Sequence, residues 1–197
     1  MYNRLIPNIG GDSVRYNKSG YNLQGWQEDY YSSGKVLHKG FYIDGQIKAF
    51  KNFYEDGQIE RNFTTTDPAR CAIDIYYPNG KVQKQILYYN GKPQNEYTYF
   101  TNGNPESITE KDKEIQYIFK KNRYFENGFI SSEMELIDKK NKKYTAKEYY
   151  ENGKIKEEGV LTLNLEKKDY EKDGEWSYYD SNGILIKKEK YKGGKLQ

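Results

Sequence analysis

An aromatic pair, two turn residues and a glycine recur down this chain, and the recurrence limits its fold more than any other feature. The copies read YYSSGKV from Tyr30, FYEDGQI from Phe53, YYPNGKV from Tyr76, YFTNGNP from Tyr99, YFENGFI from Tyr124 and YYENGKI from Tyr149. A stretched copy, YYDSNGIL, begins at Tyr178. Steps between first aromatics are 23, 23, 23, 25, 25 and 29 residues. Equal steps followed by small insertions mark a repeat array in which each unit is one supersecondary element.

Within each unit the residue before the glycine is Ser33, Asp56, Asn79, Asn102, Asn127, Asn152 or Asn182. Such side chains close turns by hydrogen-bonding nearby backbone. Two past the glycine stands an apolar residue: Val36, Ile59, Val82, Ile130, Ile155 or Leu185, with Pro105 the exception. A second turn follows 11 residues after the first glycine, at Gly45, Gly91 and Gly194, with Pro68 of TTDPAR in the same place. Turns at this spacing, separated by Tyr-, Ile- and Val-bearing segments, predict consecutive β-hairpins. A helix is excluded by the frequency of glycine and the lack of an i, i+3, i+4 apolar stripe. The five prolines are assigned to turns or chain ends, away from ladder interiors.

Pro78 selects the turn. It suits the first central position of a type I turn, so the aromatic hairpins are predicted to be type I turns closed by a glycine bulge. That register puts Tyr149 opposite Ile155 and Tyr150 opposite Lys154. Two aromatic ladders follow. One (Tyr30, Phe53, Tyr76, Tyr99, Tyr124, Tyr149) lies along the apolar column. The other (Tyr31, Tyr54, Tyr77, Phe100, Phe125, Tyr150) is flanked by Lys35, Lys81 and Lys154.

The predicted fold is all-β: a repeat array of consecutive β-hairpins forming one long twisted antiparallel sheet. Residues 1–24 are predicted to cap one end. Residues 25–197 form about seven units in a single domain, with 157–177 as a longer hairpin. Composition agrees. Apolar residues are 35 % of the 197, below the roughly 45–50 % of ordinary domains, so a thick core is not expected. Yet 16 % are aromatic, 22 of them Tyr, and rings cover pleated surfaces well.

The residues YYENGKIKEEG, KDGEWSYYDSNG and YKGGKL resemble the bacterial variant of MORN (membrane occupation and recognition nexus) repeats, and GWQEDYYSSGKV echoes GEWSYYDSNGIL. The likeness spans residues 21–197 and implies a hairpin-repeat fold. It also implies a non-enzymatic protein-binding role, as in antitoxin or immunity proteins that neutralise a partner toxin by occluding it. Other roles it leaves open are a mobile-element inhibitor of a host defence nuclease and a structural or lipid-surface scaffold. The central units depart from the pattern at Pro105 and DPARC.

Chemistry-bearing residues are sparse. The one histidine is His38 and the one cysteine is Cys71, so no internal disulfide forms. His38 is read as a strand surface residue and Cys71 as a packed small residue. No phosphate loop, dinucleotide fingerprint or metal-ligand spacing occurs, so no catalytic residue, cofactor or metal is expected. The net charge of +3 comes from interleaved signs, which argues against nucleic acid as the partner. No run reaches the roughly 20 apolar residues of a membrane helix, and the opening residues show no signal peptide, so a cytoplasmic location is expected. The partner is expected to be a protein toxin or other effector enzyme. Tyr31, Tyr54, Tyr77, Phe100, Phe125 and Tyr150 are the candidate partner-binding residues, because tyrosine gives large contact area at low entropic cost.

Overall fold

The structure is a computed structural model that describes residues 5–6, 10–11 and 13–197. The first two pairs are the short strands β1 (Leu5–Ile6) and β2 (Gly10–Gly11), which pair antiparallel. Residues 1–4, 7–9 and 12 of the predicted cap, Pro7 among them, lie outside the described residues, as does part of the opening stretch on which the signal-peptide expectation rests. Among the described residues there is no helix.

The chain divides into two compact units, Met1–Gly103 and Asn104–Gln197. In the first, β3 (Gly25–Tyr30), β4 (Val36–Ile43), β5 (Gln46–Phe53), β6 (Ile59–Asp67), β7 (Arg70–Tyr76), β8 (Val82–Tyr89) and β9 (Lys92–Tyr99) form an antiparallel meander. The second is a meander of β10 (Pro105–Lys111), β11 (Ile118–Tyr124), β12 (Ile130–Asp138), β13 (Lys143–Tyr149), β14 (Ile155–Asn164), β15 (Asp169–Tyr179), β16 (Leu185–Lys192) and β17 (Lys195–Leu196). Within each of these two meanders, consecutive strands are joined as antiparallel hairpins, as the turn spacing predicts. The segment 157–177 is the longest hairpin, with 10- and 11-residue strands.

The aromatic turns have the predicted geometry. Tyr150 N–H donates to the Lys154 carbonyl and Gly153 N–H to the Tyr150 carbonyl, both at 2.9 Å. Gly153 sits at φ +80°, a conformation that costs glycine nothing. Asn152 Oδ1 accepts the Lys154 N–H at 3.1 Å. A bulge follows between Glu148 and Tyr149, and Tyr149 pairs with Ile155. The same pairing joins Tyr30 to Val36, Phe53 to Ile59, Tyr76 to Val82 and Tyr124 to Ile130.

Two details differ from the sequence reading, and a third adds to it. The last copy is not stretched. Tyr179, not Tyr178, pairs with Leu185, and Asp180 takes the second-aromatic place, donating its N–H to Ile184 and accepting that of Gly183. Three of the far-end turns, for which the sequence reading named no turn type, have positive φ at both residues, Asp44–Gly45, Asn90–Gly91 and Gly193–Gly194, the type I′ pattern that matches strand twist. Pro93 lies inside β9, where a bulge opposite it breaks the ladder, so its missing N–H is tolerated.

The deepest packing is at mid-strand rather than along the first aromatic ladder. In the first unit Leu23, Tyr42, Ile47, Phe50, Phe63, Cys71 and Ile73 are buried, with Ile86 and Tyr88 packed against them. The Phe50 and Phe63 rings stack at 5.5 Å. Tyr30 of the ladder is instead 55 % exposed. In the second unit Tyr144, Ala146 and Trp176 are buried. Trp176 lies over Gly159, where any Cβ would fall 2.5 Å from the indole, and its Nε1–H donates to the Val160 carbonyl at 3.0 Å. The large apolar side chains among these, such as Leu23, Ile47, Phe50 and Phe63, each contribute roughly 1.5–3 kcal/mol on burial.

Residues 13–23 form an arm on the first unit. Arg15 N–H donates to the Gly45 carbonyl, Gly45 N–H to Leu23, and Leu23 N–H to Arg15, all at 2.9 Å. Gly45 combines φ +75° with close approach: a Cβ there would lie 2.6 Å from Val14 Cγ1 and 2.7 Å from the Arg15 carbonyl oxygen. Gly45→Ala is therefore expected to lower unfolding stability by about 1–3 kcal/mol and to expose residues 13–23 to proteolysis. A urea titration and limited digestion check both.

Candidate functional site

The candidate ladder has a structural task. Tyr31 Oη donates to the Phe53 carbonyl at 2.7 Å, Tyr54 to Tyr76 at 2.5 Å, and Tyr77 to Tyr99 at 2.7 Å. In the second unit Tyr150 donates to Tyr179 at 2.9 Å. Each hydroxyl thus ties one turn to the first aromatic of the next. Phe100 and Phe125 hold the same place in their turns without a hydroxyl. All six rings are half-buried. Turn asparagines add rungs: Asn79 Nδ2 to Thr101, Asn104 Nδ2 to Glu126 and Asn152 Nδ2 to Ser181. A ligand meeting this row finds ring surface, because the tyrosine hydroxyls are already engaged.

Two faces of the first unit differ in chemistry. On one, Trp26 is 58 % exposed. Its ring lies 5.3 Å from Phe41, with Lys39 Nζ 5.8 Å from its centroid, and Lys39 pairs with Glu28 at 2.9 Å. A large rigid ring is thus presented to solvent within a sheet.

The opposite face carries a cleft of about 520 Å³ beneath the arm. Strand register builds it from two parallel rows. His38 pairs with Asn52, Asn52 with Arg61, and Arg61 with Ile75. The neighbouring row runs Gly40, Phe50, Phe63, Ile73, Ile86. Because successive residues alternate faces, a polar stripe and an apolar stripe lie side by side.

His38 is not the free surface residue the sequence suggested. Its Nδ1–H donates to Asn52 Oδ1 at 2.7 Å, since that oxygen can only accept. Nε2 then accepts from the Tyr42 hydroxyl at 2.9 Å. Arg15 donates to Tyr42 Oη at 3.2 Å and forks onto both Asp29 carboxylate oxygens. That guanidinium holds the Asp29 carboxyl below the ordinary carboxylate range. Both histidine nitrogens are engaged, so no nucleophile is poised on them. Cys71 is packed as expected, 2 % exposed, and burial pushes its thiol up to about 11. Among the described residues no group of three or more His, Cys, Asp or Glu is arranged to hold a metal.

Sequence reasoning missed Arg15, Asp29, Asn52 and Arg61 as neighbours. The register that pairs Phe53 with Ile59 also pairs Asn52 with Arg61 across the bulge, so that half was legible. The docking of Arg15 was not.

With the geometry described, known proteins offer these likenesses. The MORN repeat variant family matches residues 75–90, 145–161 and 172–192. These stretches hold the turns at Tyr76, Tyr149 and Tyr179, and are similar to MORN repeats. No curated protein matches the sequence. Among solved structures, a mutant of S. aureus TarM in complex with fondaparinux, alpha-GlcNAc-glycerol and UDP is similar at 12 % identity and TM-score 0.33, over 76 % of this chain. The chain spans 22 % of the TarM chain. A protein of unknown function from Bacteroides fragilis is similar at 11 % identity and TM-score 0.14, over 83 % of this chain and 88 % of that one.

Two outcomes test this description. Tyr77→Phe removes one rung and is expected to cost about 1 kcal/mol, read as a lower urea midpoint, without changing the far-UV spectrum. Alkaline stability follows from burial, which raises Cys71 to about 11 and also raises Tyr88, Tyr144 and Tyr149. Groups whose folded values exceed their unfolded ones favour the fold below the unfolded values and lose that contribution as pH rises. Stability is therefore expected to fall as pH increases above about 9, with Cys71 inert to thiol reagents until the chain unfolds.

Proposed function

We propose that this chain is a non-enzymatic, protein-binding repeat array, and specifically an immunity-type protein that neutralises a toxin by covering its active site. The observation that carries the reading is Trp26: a 58 % exposed ring braced by Phe41 and Lys39 on a backbone fixed by hydrogen bonds at both ends of its hairpin. Tryptophan is the residue type most enriched where binding energy concentrates, and a braced ring loses little freedom on binding. Likeness of three stretches to MORN repeats supports a repeat-type binding role. The engagement of both His38 nitrogens and the raised, buried Cys71 thiol support a role without nucleophilic catalysis.

On this reading the ladder Tyr31, Tyr54, Tyr77, Phe100, Phe125 and Tyr150 contributes ring contacts and holds the turns in line. The chain is proposed to act in the cytoplasm. No helix among the described residues is long and apolar enough to cross a membrane.

Co-expression with the product of the adjacent gene tests this. A stoichiometric complex and rescue of growth are expected. Trp26→Ala is expected to weaken the complex at least about tenfold with an unchanged melting temperature. Absence of a complex, or of rescue, overturns the toxin reading. A complex unaffected by Trp26→Ala moves the interface away from this face.

A further inference from the structure

The cleft on the other face of the first unit has a chemistry that the protein-partner reading does not use. Its apolar wall is Phe50, Ile73, Ile75, Ile86 and Tyr88, and its rim holds Arg15, Asp29, His38, Asn52 and Arg61. Most of that rim is internally satisfied. Arg15 and Asp29 neutralise one another through a forked pair, and His38 is bonded at both nitrogens.

Arg61 stands apart. Its side chain is three-quarters buried, and its Nε is a buried donor with no hydrogen-bond partner. The Glu60 carboxylate comes only to 3.4 Å of that nitrogen. A buried guanidinium N–H left unsatisfied is costly, and guanidinium geometry matches a carboxylate. Beside it, Asn52 uses its carboxamide oxygen on His38, so its NH₂ remains a donor on the same rim. A guanidinium that is paired in charge with Glu60 but has one unbonded donor, together with an amide donor, thus borders an apolar wall. The volume of about 520 Å³ falls within the roughly 300–1,000 Å³ of small-ligand sites.

We infer that this cleft binds a carboxylate joined to an apolar group, with Arg61 and Asn52 holding the carboxylate and Ile73, Ile75 and Ile86 receiving the apolar body. Two sources share this chemistry: a free small acid, and the C-terminus of a polypeptide ending in an apolar residue. The inference does not depend on the toxin reading, since all these residues lie on the face opposite Trp26.

The test is NMR titration of the full chain, labelled at isoleucine methyls, with 4-phenylbutyrate and with the peptide acetyl-Ala-Ala-Ala-Phe. The corresponding amides serve as uncharged controls. Acids are expected to shift the methyls of Ile73, Ile75 and Ile86, and amides to leave them in place. Arg61→Gln is expected to weaken acid binding at least about tenfold, and Arg61→Lys to restore part of it. Asn52→Asp, which leaves Arg61 intact and adds a repelling charge, is expected to abolish it. Unfolding midpoints of the variants establish that they are folded. Binding of the aryl acid alone supports the proposal with a small-molecule source, and binding of the peptide acid supports it with a chain end. Equal shifts from acid and amide, acid binding that survives Arg61→Gln, or no shift from any probe overturns it.

Discussion

Everything in this chain hangs on one local constraint: a glycine in the left-handed region, one residue after a side chain that hydrogen-bonds forward. In the 149–155 turn, Asn152 holds the Lys154 N–H and Gly153 takes φ +80°. That geometry inserts a single-residue bulge and leaves Tyr149 facing Ile155. Because side chains alternate along a strand, the choice of partner at the turn decides which residues share a face for the whole strand. Repeating the turn repeats the decision.

A sheet built this way has little interior, and the described residues show how the shortfall is met. Buried rings are concentrated at mid-strand: Tyr42, Phe50 and Phe63 in the first unit, Tyr144 and Trp176 in the second. Close packing is secured where glycine leaves room for a ring, as Gly159 does under Trp176. The hairpin ends are secured differently, by polar rungs from Tyr hydroxyls and Asn amides to the backbone of the next turn. Apolar burial in the middle and directional bonds at the tips divide the work. A row of half-buried tyrosines therefore serves the fold first, whatever it meets afterwards.

The two faces of the first unit show how one register serves two chemistries. One side presents Trp26 and Phe41, braced and exposed. The other sets the row His38, Asn52, Arg61 beside the row Phe50, Ile73, Ile86. Arm residues 13–15 border this second face, and Arg15 closes its rim by pairing with Asp29. A polar row by itself is an ordinary solvated surface. Placed beside an apolar row and under an arm, the same side chains become a cleft with a polar rim and an apolar wall.

Much of the fold was legible because its information is local. Turn type, bulge, pairing of Tyr30 with Val36 or Tyr149 with Ile155, and the longer hairpin at 157–177 all follow from residues a few positions apart. The misplacement of the last copy by one residue has the same origin. Tyr178 and Tyr179 both look like the first aromatic, and only the hydrogen bonds of Asp180 distinguish them. The sequence by itself determined an all-β hairpin array and its register, since glycine conformation and side-chain alternation are properties of neighbouring residues. Only the tertiary structure decided that the second-position tyrosines spend their hydroxyls on the next turn, that the core sits at mid-strand, and that Arg15 reaches Asp29 and Tyr42. Those outcomes depend on distances between residues far apart in the chain, which no local pattern encodes.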